Sequence, residues 1–227
     1  MKKITFFAIF LLSMLAVPAQ GVVASADRGG EGTIVEMYTS MGSIVIRLYD
    51  ETPMHRENFI KLVNEGMYDG LLFHRVIEKF MIQGGDPRSR DAEPGQALGE
   101  GSLGYTVPAE IRKELFHKRG ALCAARLGDE VNPERESSAT QFYIVQGEVF
   151  DEARLMKIGE RFHKKFTPEQ IKAYTTEGGA PHLDGDYTVF GEVVKGMEVV
   201  DAIAAVEVDK NNRPIEDVRI EGVKIIR

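Results

Sequence analysis

The sequence predicts a mainly β fold: a closed antiparallel barrel capped by two α-helices, with an extra helical insertion before its later strands. Three observations carry that expectation. About seven or eight short apolar or alternating runs are separated by turn signals. They follow one another without the regular strand–helix alternation of a doubly wound sheet. Only two segments, opening near Pro53 and Met197, carry the apolar periodicity of core helices.

The elements follow in chain order. Met1-Lys2-Lys3 is a short positive head, and Ile4 to Val17 is an apolar run broken only by Thr5 and Ser13. Ala24-Ser25-Ala26 then reads as a cleavage site, with Val17-Pro18-Ala19 as a second candidate. Residues 1–26 are therefore read as a secretory signal peptide. The run is shorter than the ~20 residues of a membrane span, so no span is expected after cleavage. Cleavage would remove Lys2 and Lys3 and take the formal charge from −7 to −9.

Asp27 to Gly32 reads as a polar linker at the head of a single domain, 27–227. Thr33 to Asp50 reads as a hairpin turning at Ser40–Ser43, with Ile44, Ile46 and Leu48 on one face of its second arm. Thr52 is read as N-cap and Pro53 as first residue of a helix burying Phe59, Leu62 and Val63 and ending at Gly66. FHRVIEKFMIQGGDP, Phe73 to Pro87, reads as strand, turn, strand and stop. Strict alternation puts Phe73, Arg75 and Ile77 on one face, His74 and Val76 on the other.

Asp91 to Val107 is a long loop. Its Gly99-x-Gly101-x-x-Gly104 matches the dinucleotide fingerprint in letters only, because no strand precedes it and no helix follows. The glycines there are read as positions needing positive φ. GALCAAR and QFYIVQ are short strands joined by a polar loop. Gly147 to Pro181 turns helical and charged: Asp151 caps one helix, and Thr167-Pro168-Glu169-Gln170 has the capping-box pattern for another. YTVFGEVV returns to strand. Met197 to Val206 is an amphipathic helix with Val199, Ile203 and Val206 on one face, and Val218 to Ile226 is the last strand.

Composition excludes several functions. There is no basic run, and the acidic balance would repel nucleic-acid phosphates. The five histidines are scattered and the one cysteine, Cys123, has no partner, so neither a disulfide nor a metal site is expected. Cys123 lies in an apolar run and reads as a packing residue. No serine sits in a nucleophile motif. What stands out is Arg75, a cation among apolar neighbours. Composition alone favours a structural ion-pair partner there, with a functional donor as the alternative.

FHRVIEKFMIQGGDP resembles the signature of the cyclophilin family of peptidyl-prolyl cis-trans isomerases. The opening hairpin and first helix, SATQFYIVQG (Ser138–Gly147) and HLDGDYTVFGEVVKGMEVVDAI (His182–Ile203) are similar to other segments of that family, in the same order. The resemblance covers roughly 33–146 and 182–227 and implies the cyclophilin-like barrel and its isomerase activity. It implies Arg75, Phe80 and Gln83 as catalytic residues, with Arg75 the donor and Gln83 holding it or the substrate backbone. It implies Met81, Ala125, Gln141, Tyr143, Leu183 and Tyr187 as substrate-binding residues, Gln141 holding substrate backbone.

No cofactor or metal is required, because no bond is made or broken. The implied partners are proline-containing peptides and unfolded exported proteins, met by a monomer in the periplasm or secreted beyond it. The competing reading is a noncatalytic proline-peptide-binding or chaperone module on the same scaffold. The resemblance departs at Tyr143, usually Phe, at Tyr187 and His182, and at Arg126, which bacterial members share. It breaks at about 147–181, where typical members have a short loop. That segment is either a solvated helical decoration or a lid or client-binding arm.

Overall fold

A computed structural model describes residues 32–227; the segment read as a signal peptide lies outside the described residues. Strands β1 (Ile34–Thr39) and β2 (Gly42–Leu48) bury Val35, Met37, Ile44, Ile46 and Leu48 at alternate positions. Thr39 pairs with Gly42, so the turn is tighter than expected, and Gly42 takes a φ of 130° that a side chain would resist. Helix α1 (Pro53–Asn64) buries His55, Phe59, Leu62 and Val63.

The N-terminus of α1 is not capped as expected. Thr52 makes no side-chain cap bond. Instead the Glu110 carboxylate accepts from the backbone N–H of Met54 (3.1 Å) and His55 (2.9 Å). A buried carboxylate there is favoured twice, by the unpaired amides and by the helix dipole.

Strands β3 (Phe73–Ile77) and β4 (Met81–Gly84) form the second hairpin. Strict alternation fails at its start. Phe73 pairs with Gly84 while Arg75 pairs with Gln83, so His74 is the extra residue of a bulge. Phe73 therefore joins Val76 in the main core, and His74 moves to the side of Arg75. The long loop after β4 follows, and its glycines act in two ways. Gly99 and Gly104 take positive φ, whereas a Cβ on Gly101 would lie 1.8 Å from Asp86 Oδ1.

Strand β5 (Thr106–Val107) pairs with β7 (Ser137–Ser138) in a separate ribbon. Between them runs β6 (Ala121–Ala124), and β8 (Phe142–Val145) follows. Helices α2 (Glu152–Phe162) and α3 (Pro168–Thr176) start as read, the first on Asp151 and the second on a full Thr167–Gln170 capping box. Strand β9 (Val189–Lys195), helix α4 (Met197–Ala204) and strand β10 (Ile220–Ile225) complete the chain. The buried face of α4 is Val200, Ile203 and Ala204, one step round from the expected stripe; Val199 and Val206 pack at its margin.

Eight strands form one curled antiparallel sheet in the order β10-β1-β2-β9-β6-β8-β4-β3. No ladder joins its edges, so the expected closed barrel is corrected to a curled half-barrel. Only a short seam approaches closure: the Phe73 N–H donates to Val218 O and the Ile220 N–H to Leu71 O. The concave face holds the main core with α1 and α4, from Met37 and Ile46 to Phe142 and Ile220. Residues 150–174 are not merely solvated: Leu155 and Tyr174 are fully buried with Phe116, Phe150 and Ala173 in a separate cluster.

Candidate active site

Alternation on four adjacent strands builds the site. Val76, Ile82, Leu122 and Ile144 point into the main core. Their neighbours Met81, Cys123 and Tyr143 face the other way, into a second apolar cluster with Ala180 and Val189. Of the expected residues, Arg75, Phe80, Met81, Gln83, Ala125, Tyr143, Leu183 and Tyr187 line a single cavity of about 570 Å³. Gln96, Glu100, Asp209 and Asn211 add polar groups to its wall.

Gln141 is absent from that wall. It is buried, and its Nε2 donates to Gly99 O (2.9 Å) and Gly101 O (3.0 Å) while its Oε1 accepts from Gln83 Nε2 (3.2 Å). Both of its N–H donors are committed to the loop, while its Oε1 keeps one lone pair beyond the Gln83 bond. Its work in this structure is to hold the loop that forms one lip and to orient Gln83.

Gln83 in turn accepts from Arg75 Nη1 at 3.1 Å. That is a neutral partner. Among the described residues no carboxylate pairs with Arg75, which removes the structural ion-pair reading. A guanidinium cannot shed its proton, so a cation stays fixed at the cavity with donors left over. The arrangement suits recognition of a carbonyl, or of an amide nitrogen that develops a lone pair.

The family description "Cyclophilin type peptidyl-prolyl cis-trans isomerase/CLD" matches residues 34–225. The chain belongs to the cyclophilin family. A provisionally named peptidyl-prolyl cis-trans isomerase of Staphylococcus saprophyticus is 35% identical over 192 residues, covering 84% of this chain and 90% of that one. A provisionally named bifunctional phosphatase/peptidyl-prolyl cis-trans isomerase of Streptococcus pyogenes serotype M6 is 37% identical over 199 residues. That match covers 86% of this chain but only 39% of the streptococcal protein. The crystal structure of a Cryptosporidium parvum cyclophilin aligns with a TM-score of 0.64 at 24% identity, over 86% of this chain and 98% of that one. The same parasite protein in the presence of the dipeptide Ala-Pro aligns with a TM-score of 0.61. At that identity the likeness shows the fold.

In this cyclophilin the Tyr143 hydroxyl has a buried partner. Tyr143 shares a bond of 3.0 Å with His117 Nε2, and His117 Nδ1 lies 3.0 Å from Asp184 Oδ1. The other Asp184 oxygen accepts from Tyr174 OH (2.7 Å) and Gln170 Nε2 (3.1 Å), both on α3. A continuous buried chain thus runs from the cavity floor to the helical segment. Burial holds the Tyr143 phenol far above its ordinary pKa, and does the same to the Cys123 thiol beside it, so neither ionises.

His117, Asp184 and Glu110 carry no sequence signal for these roles. The only hint was that a phenol in an apolar pocket needs a partner. On the rim, the Arg126 guanidinium lies 4.6 Å from the Tyr187 ring and is held by Asp186 O, Leu127 O and Asp129. Among the described residues no group of three or more His, Cys, Asp and Glu is placed to hold a metal ion, and no helix is long and apolar enough to cross a membrane.

Proposed function

We propose that this cyclophilin-type isomerase accelerates rotation about Xaa-Pro bonds in exported proteins as they fold, in the periplasm or beyond it. The export half of the reading rests on residues 1–26: positive head, apolar run and small-residue cleavage sites. Newly exported chains populate cis prolines and refold slowly without help. Recovery of mature protein from a periplasmic fraction, beginning after Ala19 or Ala26, is the expected outcome. A chain retained in the cytoplasm with Met1 intact would sink it. The helices at 147–181 we read as an insertion in the family fold.

The observation that carries the catalytic reading is the unpaired guanidinium of Arg75, aimed by Gln83 in a cavity with an apolar floor. Prolyl rotation must break amide resonance against about 20 kcal/mol. Moving it from tens of seconds to milliseconds takes roughly 10⁴-fold, or about 5–6 kcal/mol. Met81, Phe80, Tyr143 and Leu183 grip the ring and exclude water, which strengthens whatever hydrogen bond Arg75 makes. Arg75 then favours the twisted amide, whose nitrogen has a localised lone pair, over either planar isomer. Substrate backbone is held by Gln83 and the lip it shares with Gln141.

Exchange NMR on an Ala-Pro-containing peptide tests this. Wild type gives fast cis–trans exchange; Arg75→Ala lowers kcat/KM by roughly 10²–10³-fold, and Arg75→Lys restores little because the planar fork is lost. Undiminished exchange in Arg75→Ala would overturn the assignment.

A further inference from the structure

Aromatic contacts continue outward from Phe80, which lines the cavity. The Phe80 ring lies 5.3 Å from the His182 ring, and the His182 ring lies 5.7 Å from that of Phe162. These three rings belong to three separate elements: the turn before β4, the short turn Pro181–Leu183, and the last residue of α2. Leu183, next to His182, is itself on the cavity wall. His182 and Phe162 are not on the cavity wall themselves; the run touches that wall through Phe80 and Leu183. Single exposed apolar residues are ordinary and need no explanation. Phe162 differs because, 41% exposed, it stands at the outer end of an aromatic line that starts inside the cavity.

The line is also held in place. His163 takes a left-handed φ of 54° and closes α2, and the Lys164 N–H donates back to Gly159 O at 2.8 Å. The Lys164 ammonium pairs with Asp186, the residue before cavity-lining Tyr187. Leu155, fully buried, anchors the body of α2. Partial burial lowers the His182 pKa from its ordinary value, which favours the uncharged ring.

We infer that His182 and Phe162 extend the isomerase cavity into an aromatic subsite, which takes an apolar or aromatic side chain of the substrate about three residues from the proline. The inference rests on the isomerase reading above. The spacing follows from the rings, since an extended chain advances about 3.3 Å per residue. The occupant is the substrate polypeptide itself, because the ring run starts from Phe80 on the wall of the cavity proposed to hold the proline. Chains carrying a large apolar residue near proline are those whose segments become buried on folding. The subsite thus selects unfolded clients over polar, proline-bearing linkers.

Exchange NMR with three peptides tests it: Ala-Pro with small flanking residues, the same with Phe three residues before the proline, and the same with Phe three residues after. Wild type turns over one Phe peptide with kcat/KM roughly five- to tenfold above the small-residue peptide. In Phe162→Ala that ratio falls to about one. Met156→Ala, equally exposed at 42% on the same helix but outside the ring line, keeps the ratio. Equal turnover of all three peptides by wild type, a ratio that survives Phe162→Ala, or one lost equally in Met156→Ala, overturns the subsite alone. No exchange on any peptide overturns the isomerase reading and the subsite with it.

Discussion

Tyr143 shows how one oxygen atom changes what a pocket needs. The ring still floors the cavity, but its hydroxyl is satisfied only because His117 stands behind it at 3.0 Å with no solvent exposure of its own. Tyr143→Phe keeps the floor and leaves His117 Nε2 without a partner. The expected cost is about 1–3 kcal/mol of stability, read as a lowered urea midpoint at unchanged m-value. An unshifted midpoint would mean that the bond contributes nothing. Arg75 is the converse case. A sequence can place an arginine among apolar residues, but only the absence of a carboxylate around it separates a donor from an ion-pair partner.

Helix starts show what can be read locally. The α3 capping box, Thr167 to Gln170, lies within one turn, and both of its bonds form as the letters suggest. The start of α1 has equally good letters, yet Thr52 makes no cap bond and Glu110 supplies the acceptor from across the fold. Glu110 also lies 2.7 Å from His55 Nδ1, so three donors depend on one carboxylate. Glu110→Ala is expected to cost about 2–4 kcal/mol, and Thr52→Ala less than about 0.5 kcal/mol. Urea denaturation of the two variants checks this, and the reverse order would return the cap to Thr52. The β3 bulge has the same lesson. Alternation located the strand, but the one-residue slip at His74 arises from pairing with β4, which the strand's own letters do not contain.

At the scale of the molecule, the segment 147–181 is the feature that most changes the reading. Its ends meet: Lys118 and Glu148 both bridge to Gly179, and a Cβ on Gly147 would lie 2.4 Å from Gly179 Cα. The segment can therefore be excised by joining Gly147 to Gly179. A solvated decoration would leave without consequence. Here excision removes the Tyr174 and Gln170 bonds to Asp184 and so loosens His117 and Tyr143. The expected result is a folded protein whose kcat/KM on the Ala-Pro peptide falls roughly ten- to hundredfold, since small displacements of a site weigh heavily on rate. Unchanged exchange would return the segment to the surface.

The eight strands of the main sheet, both core helices, the capping box of α3 and the motifs around Arg75 and Gln83 were legible in the letters, whereas β5 and β7, two residues each, fell in stretches read as loops. The legible features depend on neighbours within a few residues, through side-chain period and turn chemistry. The sequence by itself thus determined the family and most of the cavity wall. Tertiary structure decided the rest: the open edge of the sheet, the retreat of Gln141 behind the wall, the Glu110 cap and the wire from Tyr143 to α3. Each of these is a contact between residues far apart in the chain. A hydrogen bond or ion pair is specified by where two groups meet in space, and local pattern holds no record of that meeting.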